Sequence, residues 1–569
     1  MVAQIQYFSS DTINVATADP SVEKRTANYK PNIWKYGLFL QSLDCKFSEE
    51  GYTKISAQKL NQELKSLFVN VKDTLSILSL VDSISKLGLA SYFQEEIKQC
   101  LNAILISSQD NSTSTMENDL YATSLCFRLL RQFGYEASQE MFGGFVNENG
   151  KFKPSTTAFK KEALVELFEA SNLGFEGDNI LDEARLFAMQ SLHIYFDANS
   201  DDYFKEAMDG KNVLPLHWTA QWYNIKKHIR THETEGKTNS KLLELARLNF
   251  NIVQSTHQND LKDILRWWMD LGISEKLSFS RDRMVESFLY AGGVAYENEH
   301  GSLRKWLSKF IKLVLIIDDV YDIYGCLEDL ECFTTAVDRW TFEEAKNLPQ
   351  CMQKSLWTLY DTTVEISAEI EVEKGWNSVM PHLQKAWGEF CKSLLMEAKW
   401  DQKGYTPSLQ EYLGNASVSS SGPLLSLLVI LGVENPTSSK TVSEILHENK
   451  DLIYYISLII RLCNDEGTST AELERGDAPS SILCYMRESN VSEEIAREHI
   501  KSIILKIWKQ INGICISKRI STPFVNDTIR HYLVNQARVA HFIYQHGDGF
   551  GEQDKKRVLS NLIEPLALN

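Results

Sequence analysis

The chain has 569 residues, of which 43% are hydrophobic and 24% are charged. This length and composition indicate a large folded protein with two or more domains and exclude a disordered chain. The formal net charge of −17 at pH 7 argues against a broad basic surface for nucleic acid, so an anionic ligand needs bound cations or a few well-placed arginines. The ten cysteines form no CxxC pair, which favours reduced thiols over a disulfide framework.

The first 23 residues contain no Lys or Arg but include Asp11, Asp19 and Glu23. Plastid transit peptides are basic and poor in acids, so this segment predicts a flexible N-terminus, 1–23, on a cytoplasmic protein. No apolar run approaches the roughly 18 residues that span a bilayer. The best candidate, 423–433, is short, and the sequence therefore predicts no membrane span.

Beyond this segment, apolar residues recur at offsets of three and four, as in Leu60, Leu64 and Leu67. Only 12 prolines interrupt the chain, and alternating strands with tight Asn-Gly hairpins are missing. The sequence therefore predicts an all-α protein. No coiled-coil heptad demands a dimer, so we expect a monomer.

A polar stretch at 232–240, HETEGKTNS, predicts a solvated connection between two helical domains, 24–235 and 236–569. Further on, Gly422-Pro423 interrupts an apolar stretch, and a proline removes one helical hydrogen bond. This interruption is either a helix break whose carbonyl groups face a cavity or a loop between two helices.

The segment IIDDVYDIYG places Asp318, Asp319 and Asp322 after an apolar run. On a helix, Asp318 and Asp322 lie one turn apart on the same face, where two carboxylates repel each other unless a cation lies between them. Mg²⁺ takes hard oxygen ligands and keeps several waters, so this pair with phosphate oxygens suits it. Asp319 points to an adjacent face of the helix, from which it would hold the metal-binding side chains in position. The alternative is a helix end with exposed acids.

The segment RLCNDEGTSTAELERGD places Asn464, Thr468 and Glu472 on one helical face. The outer two lie about 12 Å apart along the helix axis, so a single ion must sit near Thr468. Arg461, one turn earlier, can form a charge-assisted contact to a phosphate. Gly467 weakens the predicted helix, and a polar helix surface is the alternative interpretation.

The segment FSRDRMVESF supplies Arg281 and Arg283, whose guanidinium groups suit phosphate oxygens, unless they form local ion pairs with Asp282. The C-terminal half thus combines two oxygen-rich motifs with three arginines. Metal ions and arginines together can hold a diphosphate and neutralise its departure, without a nucleophilic Ser or Cys. The combination predicts metal-triggered ionisation of an allylic diphosphate.

These motifs, in this order, resemble those of the plant class I terpene synthases, and the resemblance runs from about Lys24 to the C-terminus. It includes KRTANYKPNIW, where Lys24 replaces the first of two usual arginines and Arg25 precedes Trp34. The DxDD motif of proton-initiated cyclases is absent from the N-terminal half. The resemblance implies two α-helical domains, of which the C-terminal one is catalytic.

The family further implies a trinuclear Mg²⁺ site, with Mn²⁺ as an alternative ion. The metal ligands implied by the resemblance are Asp318, Asp319, Asp322, Asn464, Thr468 and Glu472. The diphosphate contacts implied are Arg281, Arg283, Asp318, Asp322, Arg461 and Asn464.

Segments such as SNLGFEG, NILDEA, FTTAVDRW and ERGDAPSSI resemble the α-farnesene and ocimene synthases of this family. Isoprene synthases have bulky Phe residues at the positions that match Leu289 and Ile460, and the smaller side chains here leave space for a longer chain. Tyr290 matches a pocket-floor aromatic residue that can stabilise a carbocation, although simple core packing is the alternative. Near the C-terminus, Tyr544, Asp548 and Phe550 resemble the loop that closes over the active site in this family.

The resemblance therefore implies a lyase that ionises farnesyl diphosphate and releases diphosphate with a mainly acyclic terpene, (E,E)-α-farnesene. The catalytic residues it implies are Asp318, Asp322, Arg281, Arg461 and Tyr290. One alternative is a monoterpene synthase that makes (E)-β-ocimene, myrcene or linalool from geranyl diphosphate. A prenyltransferase and a non-enzymatic helical binding protein are more distant alternatives.

Overall fold

The computed structural model describes residues 31–43, 51–71, 73–109, 119–153, 160–199, 214–236, 238–274, 277, 279–434, 436, 441–475, 479–517, 528–547 and 552–568, without the side chains of 51–54, 108–109, 196–199, 470–475 and 552–554. Within these residues the regular structure is helical, apart from one isolated β-bridge between Val146 and Phe152. The all-α prediction is confirmed. The segment 1–23, on which the cytoplasmic location depends, and Lys24 and Arg25 lie outside the described residues.

The N-terminal part is a set of short and medium helices, some of which begin with a capping side chain and three of which share a buried ionic contact. Asp73 and Asp119 accept hydrogen bonds from first-turn amides of the helices that follow them. The buried Arg128 pairs with Asp82, at 2.6 Å, and with Glu166, and so joins three helices. The helices are α1 (Tyr36–Ser42), α2 (Gly51–Leu64), α3 (Ser66–Asn70), α4 (Thr74–Lys86), α5 (Gln94–Gln109), α6 (Leu120–Gln132), α7 (Lys161–Ser171), α8 (Asn179–Asn199) and α9 (Gln221–Glu235).

The C-terminal part contains the longer helices. Two of these helices continue into a π-helical turn: Val320–Tyr324 follows α12, and Leu559–Ile563 follows α23. The helices are α10 (Ser240–Leu271), α11 (Met284–Val294), α12 (Gly301–Asp319), α13 (Leu327–Arg339), α14 (Gln350–Lys374), α15 (Met380–Gln402), α16 (Leu409–Ser419), α17 (Gly422–Val433), α18 (Val442–Glu448), α19 (Lys450–Arg475), α20 (Ser481–Ser489), α21 (Glu493–Ser517), α22 (Thr528–Tyr544) and α23 (Glu552–Val558).

The connection predicted at 232–240 is shorter in the structure. Helix α9 continues through Glu235 and ends at Gly236, which adopts the left-handed conformation (φ 64°) that a glycine tolerates best. Helix α10 begins after Asn239, whose side chain accepts hydrogen bonds from two amides of the first turn. Helix α10 packs against α2 and α9 as well as against α11 and α12, so it joins the two parts. The domain division at 235/236 stays a prediction.

Helix α17 is the centre of the C-terminal part. It is apolar on all sides and packs against α12, α14, α15, α16, α19 and α22. Together with α16 it forms a stretch, Leu409–Val433, that is apolar and long enough to cross a membrane by length and composition, and 83% of its most apolar window is buried in the fold. The length of this apolar stretch was underestimated from the sequence, where only 423–433 was considered. A serine-rich link divides the stretch into two halves.

The interruption at Gly422-Pro423 is a short, buried break between two helices. Helix α16 ends at Ser419 and α17 begins at Gly422, while Ser421 adopts a left-handed conformation with φ 61°. Pro423 lies in the first turn of α17, where its missing amide hydrogen costs no helical bond. A Cβ on Gly422 would lie 2.8 Å from the Cα of Ser457, so the break lets α17 approach α19 closely.

Candidate active site

The acidic motif lies at the C-terminal end of α12. Ile316 and Ile317 are fully buried and fix this end of the helix in the core. Asp319 is fully buried, the side chain of Asp318 is 29% exposed, and Asp322, in the π-helical turn, is exposed. The partial negative charge of a helix C-terminus disfavours carboxylates, so this arrangement calls for compensating cations. π-Helical turns are frequent at functional sites.

Arg281 contacts two aspartates of this motif directly. Its Nη2 lies 2.6 Å from Asp318 Oδ2 and its Nε lies 2.8 Å from Asp319 Oδ1, while its backbone amide donates to Asp319 Oδ2 at 2.7 Å. Burial raises the pKa of Asp319, and the neighbouring Arg281 opposes this increase. Asp319 therefore holds the arginine in place from beneath the site. The predicted diphosphate-binding arginine and the aspartate motif are brought together.

Arg283 occupies a different environment from Arg281. It is 3% exposed and precedes the first residue of α11. Its Nη1 donates to the backbone carbonyl of Asp282 at 3.2 Å. A contact between Arg283 and a diphosphate stays a prediction.

The second motif lies on α19, which is continuous through Gly467. Asn464 and Thr468 are one turn apart, and the Thr468 hydroxyl donates to the Asn464 carbonyl at 2.8 Å. Glu472 lies on the same helix, but its side chain is outside the described residues. The helix continues through Gly467 despite the low helix propensity of glycine, and the neighbouring turn after α22 leaves little space for a side chain here. A Cβ at this position would lie 2.6 Å from the Gly547 carbonyl oxygen.

Arg461 lies one turn before Asn464 on α19 and interacts electrostatically with the aspartate motif. It donates through Nη2 to the Ser419 hydroxyl at 3.0 Å, at the end of α16. Burial alone would lower the pKa of Arg461, but the negative groups around it, including Glu397 and Asp318, raise this pKa well above its usual value. Arg461 therefore carries a permanent positive charge close to the aspartate motif.

Two tyrosines from different helices border the same region. The hydroxyl of Tyr290, on α11, donates to the Gln536 carbonyl of α22 at 3.3 Å. Tyr544 ends α22, and burial raises the pKa of its phenol to about 12, while the nearby Arg281 and Arg461 oppose this increase. The phenol therefore stays protonated at neutral pH.

The remaining predicted pocket residues divide into two groups. Leu289 and Ile460 are 2% and 7% exposed, as expected for the wall of an enclosed apolar pocket or for the core. Asp548 and Phe550, which the sequence predicts in a closing loop, lie outside the described residues. The role of all four residues stays a prediction.

A cavity of about 710 Å³ lies on another face of α19. Cys463 and Gly467 of α19 line it, together with Trp218 and side chains of α8, α21 and α22. On α19, these residues point about 100° away from Asn464 and Thr468, as the helical repeat of 3.6 residues requires. Tyr544 also lines this cavity, whereas Asp318, Leu289, Tyr290 and Ile460 are not among its described lining residues. The cavity therefore adjoins the region that Tyr544 borders but differs from the predicted isoprenoid pocket.

Sequence reasoning missed Lys312 and Glu397 near this site. Lys312 is buried in α12, donates to the Arg281 carbonyl and lies 4.6 Å from the ring centroid of Trp268, and burial lowers its pKa to about 8. Its one sequence signal is the spacing of seven residues from Asp319, which places both on one helical face. Glu397, on α15, accepts hydrogen bonds from Ser419 and Asn415, and no local pattern indicates it.

The donor set fits Mg²⁺ better than a softer metal. Among the described residues, no group of three or more His, Cys, Asp and Glu side chains is arranged to hold a metal alone. The predicted ligands are instead carboxylate, amide and hydroxyl oxygens divided between α12 and α19, which leaves coordination positions for phosphate oxygens and water. Mg²⁺ has this preference, since it keeps several waters and binds through few carboxylates.

The comparisons with known proteins agree with this geometry. Residues 33–209 match the terpene synthase N-terminal domain, and residues 269–510 match the metal-binding domain of the terpene synthase family. An α-farnesene synthase of Ricinus communis is 47% identical, with 96% of this chain and 96% of the relative covered. An (E,E)-α-farnesene synthase of Malus domestica is also 47% identical, with 96% and 94% covered.

Solved structures of terpene synthases are also similar to this chain. Limonene synthase with 2-fluorolinalyl diphosphate is 36% identical, with a TM-score of 0.88 and 96% of this chain and 100% of that chain covered. Grey poplar isoprene synthase in complex with three Mg²⁺ ions and dimethylallyl-S-thiolodiphosphate is 37% identical, with a TM-score of 0.83 and 94% and 99% covered. The predicted resemblance is confirmed: the chain belongs to the terpene synthase family, whose members are lyases acting on prenyl diphosphates.

Proposed function

We propose that the protein ionises farnesyl diphosphate with Mg²⁺ and releases diphosphate together with a mainly acyclic sesquiterpene, (E,E)-α-farnesene. The observation that carries this proposal is the 47% identity, over 96% of the chain, to two α-farnesene synthases. The family assignment makes a non-enzymatic binding protein and a prenyltransferase poor alternatives. We assign the chemistry to a monomer and to its C-terminal domain, 236–569.

The metal ligands we propose come from two helices. Asp318 and Asp322, supported by Asp319, would hold ions at the end of α12, and Asn464, Thr468 and Glu472 would hold an ion on α19. We propose three Mg²⁺ ions, with Mn²⁺ as a substitute, because the isoprene synthase relative holds three Mg²⁺ ions with a thiolodiphosphate. When bound, the ions act as Lewis acids that stabilise the charge of the departing diphosphate.

The arginines supply the remaining charge compensation. Arg281 pairs with Asp318, and Arg461 is close enough to interact electrostatically with it, so both guanidinium groups can donate to the diphosphate oxygens. Arg283, two residues after Arg281, is the third proposed contact. Fixed donors around the leaving group stabilise the charge that develops during carbon–oxygen cleavage, and they do so without a nucleophile on the protein.

Apolar and aromatic side chains then enclose and stabilise the allylic cation. Leu289 and Ile460 leave space for a farnesyl chain, and the face of Tyr290 stabilises positive charge through its π electrons. Tyr544 closes the region beside Arg281 and Arg461 and helps to exclude water, which would otherwise capture the cation. The departing diphosphate is the base that we propose for the final proton loss, which gives an acyclic polyene.

A product profile with geranyl and farnesyl diphosphates, incubated side by side with Mg²⁺, tests this function. We expect (E,E)-α-farnesene as the major product by gas chromatography, and a kcat/KM for farnesyl diphosphate that is at least about tenfold higher than for geranyl diphosphate, equivalent to about 1.4 kcal/mol. A cyclic major product would contradict the assignment. A tenfold preference for geranyl diphosphate would replace it with a monoterpene synthase making ocimene, myrcene or linalool.

A further inference from the structure

An N-terminal arm, defined here as residues 32–36, lies against the segment that carries Arg281 and Arg283. The Asn32 amide donates to Asp282 Oδ2 at 3.2 Å, and the Tyr36 hydroxyl donates to Asp282 Oδ1 at 2.7 Å. These contacts join residues about 250 positions apart in the chain. The arm therefore holds the aspartate that separates the two arginines.

Asp282 receives a third hydrogen bond from the core side. The indole Nε1 of Trp268, on α10, donates to Asp282 Oδ1 at 2.9 Å. A carboxylate with donors on both oxygens, from two separate segments of the chain, has little freedom to move. Because Asp282 is covalently joined to Arg281 and Arg283, fixing its position fixes the backbone of both arginines.

Tyr36 also organises the start of α11. Its hydroxyl accepts a hydrogen bond from the backbone amide of Met284 at 3.3 Å, at the first residue of this helix. The residue before the helix, Arg283, provides no side-chain cap, so an atom from another segment satisfies an amide that the helix leaves open. One phenol oxygen thereby joins the Asp282 carboxylate to the helix that follows it.

The rest of the arm and α12 complete this support. The Trp34 indole donates to Glu286 Oε1 of α11 at 2.9 Å, and both residues are more than 90% buried. Lys312 of α12 donates to the Arg281 carbonyl and lies over the ring of Trp268. The segment 281–283 is thus held by contacts with the arm, with α10 and with α12.

We propose that Asn32, Tyr36 and Asp282 are positioning residues for diphosphate binding, through which the arm holds Arg281 at the site. This proposal rests on the proposed function, because it takes Arg281 as a diphosphate ligand. None of the three residues needs to contact the substrate. A guanidinium on a fixed backbone loses less conformational freedom when it binds an anion, so affinity depends on the arm.

The test is the affinity of the full-length protein for inorganic diphosphate with Mg²⁺, measured by titration calorimetry, which requires no turnover. We expect Tyr36→Phe, which keeps the ring but removes the hydroxyl, to raise the Kd about tenfold, since it removes one hydrogen bond to a charged group. The KM for the prenyl diphosphate should rise by a similar factor, and kcat should fall by less. Asn32→Ala should have a smaller effect and should add to that of Tyr36→Phe.

Tyr92→Phe is the matched control. The Tyr92 hydroxyl donates to Asn249 Oδ1 of α10 at 2.9 Å, so it also joins the N-terminal part to α10 but has no contact with the segment 281–283. We expect its Kd for diphosphate to equal that of the wild type.

Two results would overturn the inference: a wild-type Kd in Tyr36→Phe, or an equal rise of the Kd in Tyr36→Phe and Tyr92→Phe. If the wild type itself binds no diphosphate with Mg²⁺, the proposed function fails instead, and this outcome is distinct from the other two.

Discussion

Replacing Asp318 by alanine is expected to lower kcat/KM for farnesyl diphosphate by at least about a thousandfold, which corresponds to about 4 kcal/mol of transition-state stabilisation. Asp318 is the partly exposed carboxylate of the motif, and it also pairs with Arg281 at 2.6 Å. The substitution removes a proposed Mg²⁺ ligand and also removes the carboxylate that pairs with the Arg281 guanidinium. Steady-state kinetics at saturating Mg²⁺ and far-ultraviolet circular dichroism measure the two effects.

The helical content of Asp318→Ala should equal that of the wild type, because the carboxylate lies at the end of α12 and not in its packed face. Glu328→Ala provides a matched control, since it removes an exposed acid from the first turn of the next helix, α13. We expect its kcat/KM to remain within about twofold of the wild type, as for most exposed substitutions. A variant at Asp318 that keeps more than a tenth of the activity would refute the role of this residue.

Gly467→Ala is expected to lower both stability and activity, although alanine is the better helix former. The added Cβ would lie 2.6 Å from the Gly547 carbonyl oxygen and 3.0 Å from that of Tyr544. Both are backbone atoms, so the end of α22 and the turn after it must move. Overpacking of this kind costs roughly 1–3 kcal/mol of unfolding free energy. We also expect kcat to fall more than about tenfold, because Tyr544 and Thr468 move with these backbones.

Gly513→Ala separates this steric effect from helix propensity. Gly513 lies within α21, and no atom lies within 4 Å of a Cβ added there. The same substitution should therefore stabilise the protein by about 0.5–1 kcal/mol and leave the activity unchanged. Urea denaturation compares the two variants. Equal stabilisation by both substitutions would show that α22 does not approach α19 closely in solution.

The sequence predicted the features that depend on short-range spacing. Apolar periodicity predicted an all-α fold, and the positions of Asp318, Asp319 and Asp322 after an apolar run predicted acids at the end of a buried helix. The structure has both features. The arginine at 281 was predicted as a phosphate ligand, but its contact with Asp318 and Asp319 joins residues 37 and 38 positions apart, and no local pattern shows it.

Long-range packing decided the features that the sequence did not predict. Local propensity indicated a weak helix at Gly467, whereas the approach of the α22 terminus makes glycine necessary there. Lys312 appears in the sequence as an interruption of an apolar run, but in the fold it supports the Arg281 carbonyl. The group of Arg461, Ser419 and Glu397 comes from three helices, so spacing along the chain gives no indication of it.

A crystal structure with an unreactive farnesyl S-thiolodiphosphate and Mn²⁺, located by its anomalous scattering, tests whether the two motifs bind the metal ions together. We expect metal ions at Asp318 and Asp322 and at Asn464, Thr468 and Glu472, with the thiolodiphosphate between the two motifs and Arg461 donating to its oxygens. Metal ions away from both motifs, or a thiolodiphosphate bound in the cavity lined by Cys463 and Gly467, would contradict this assignment.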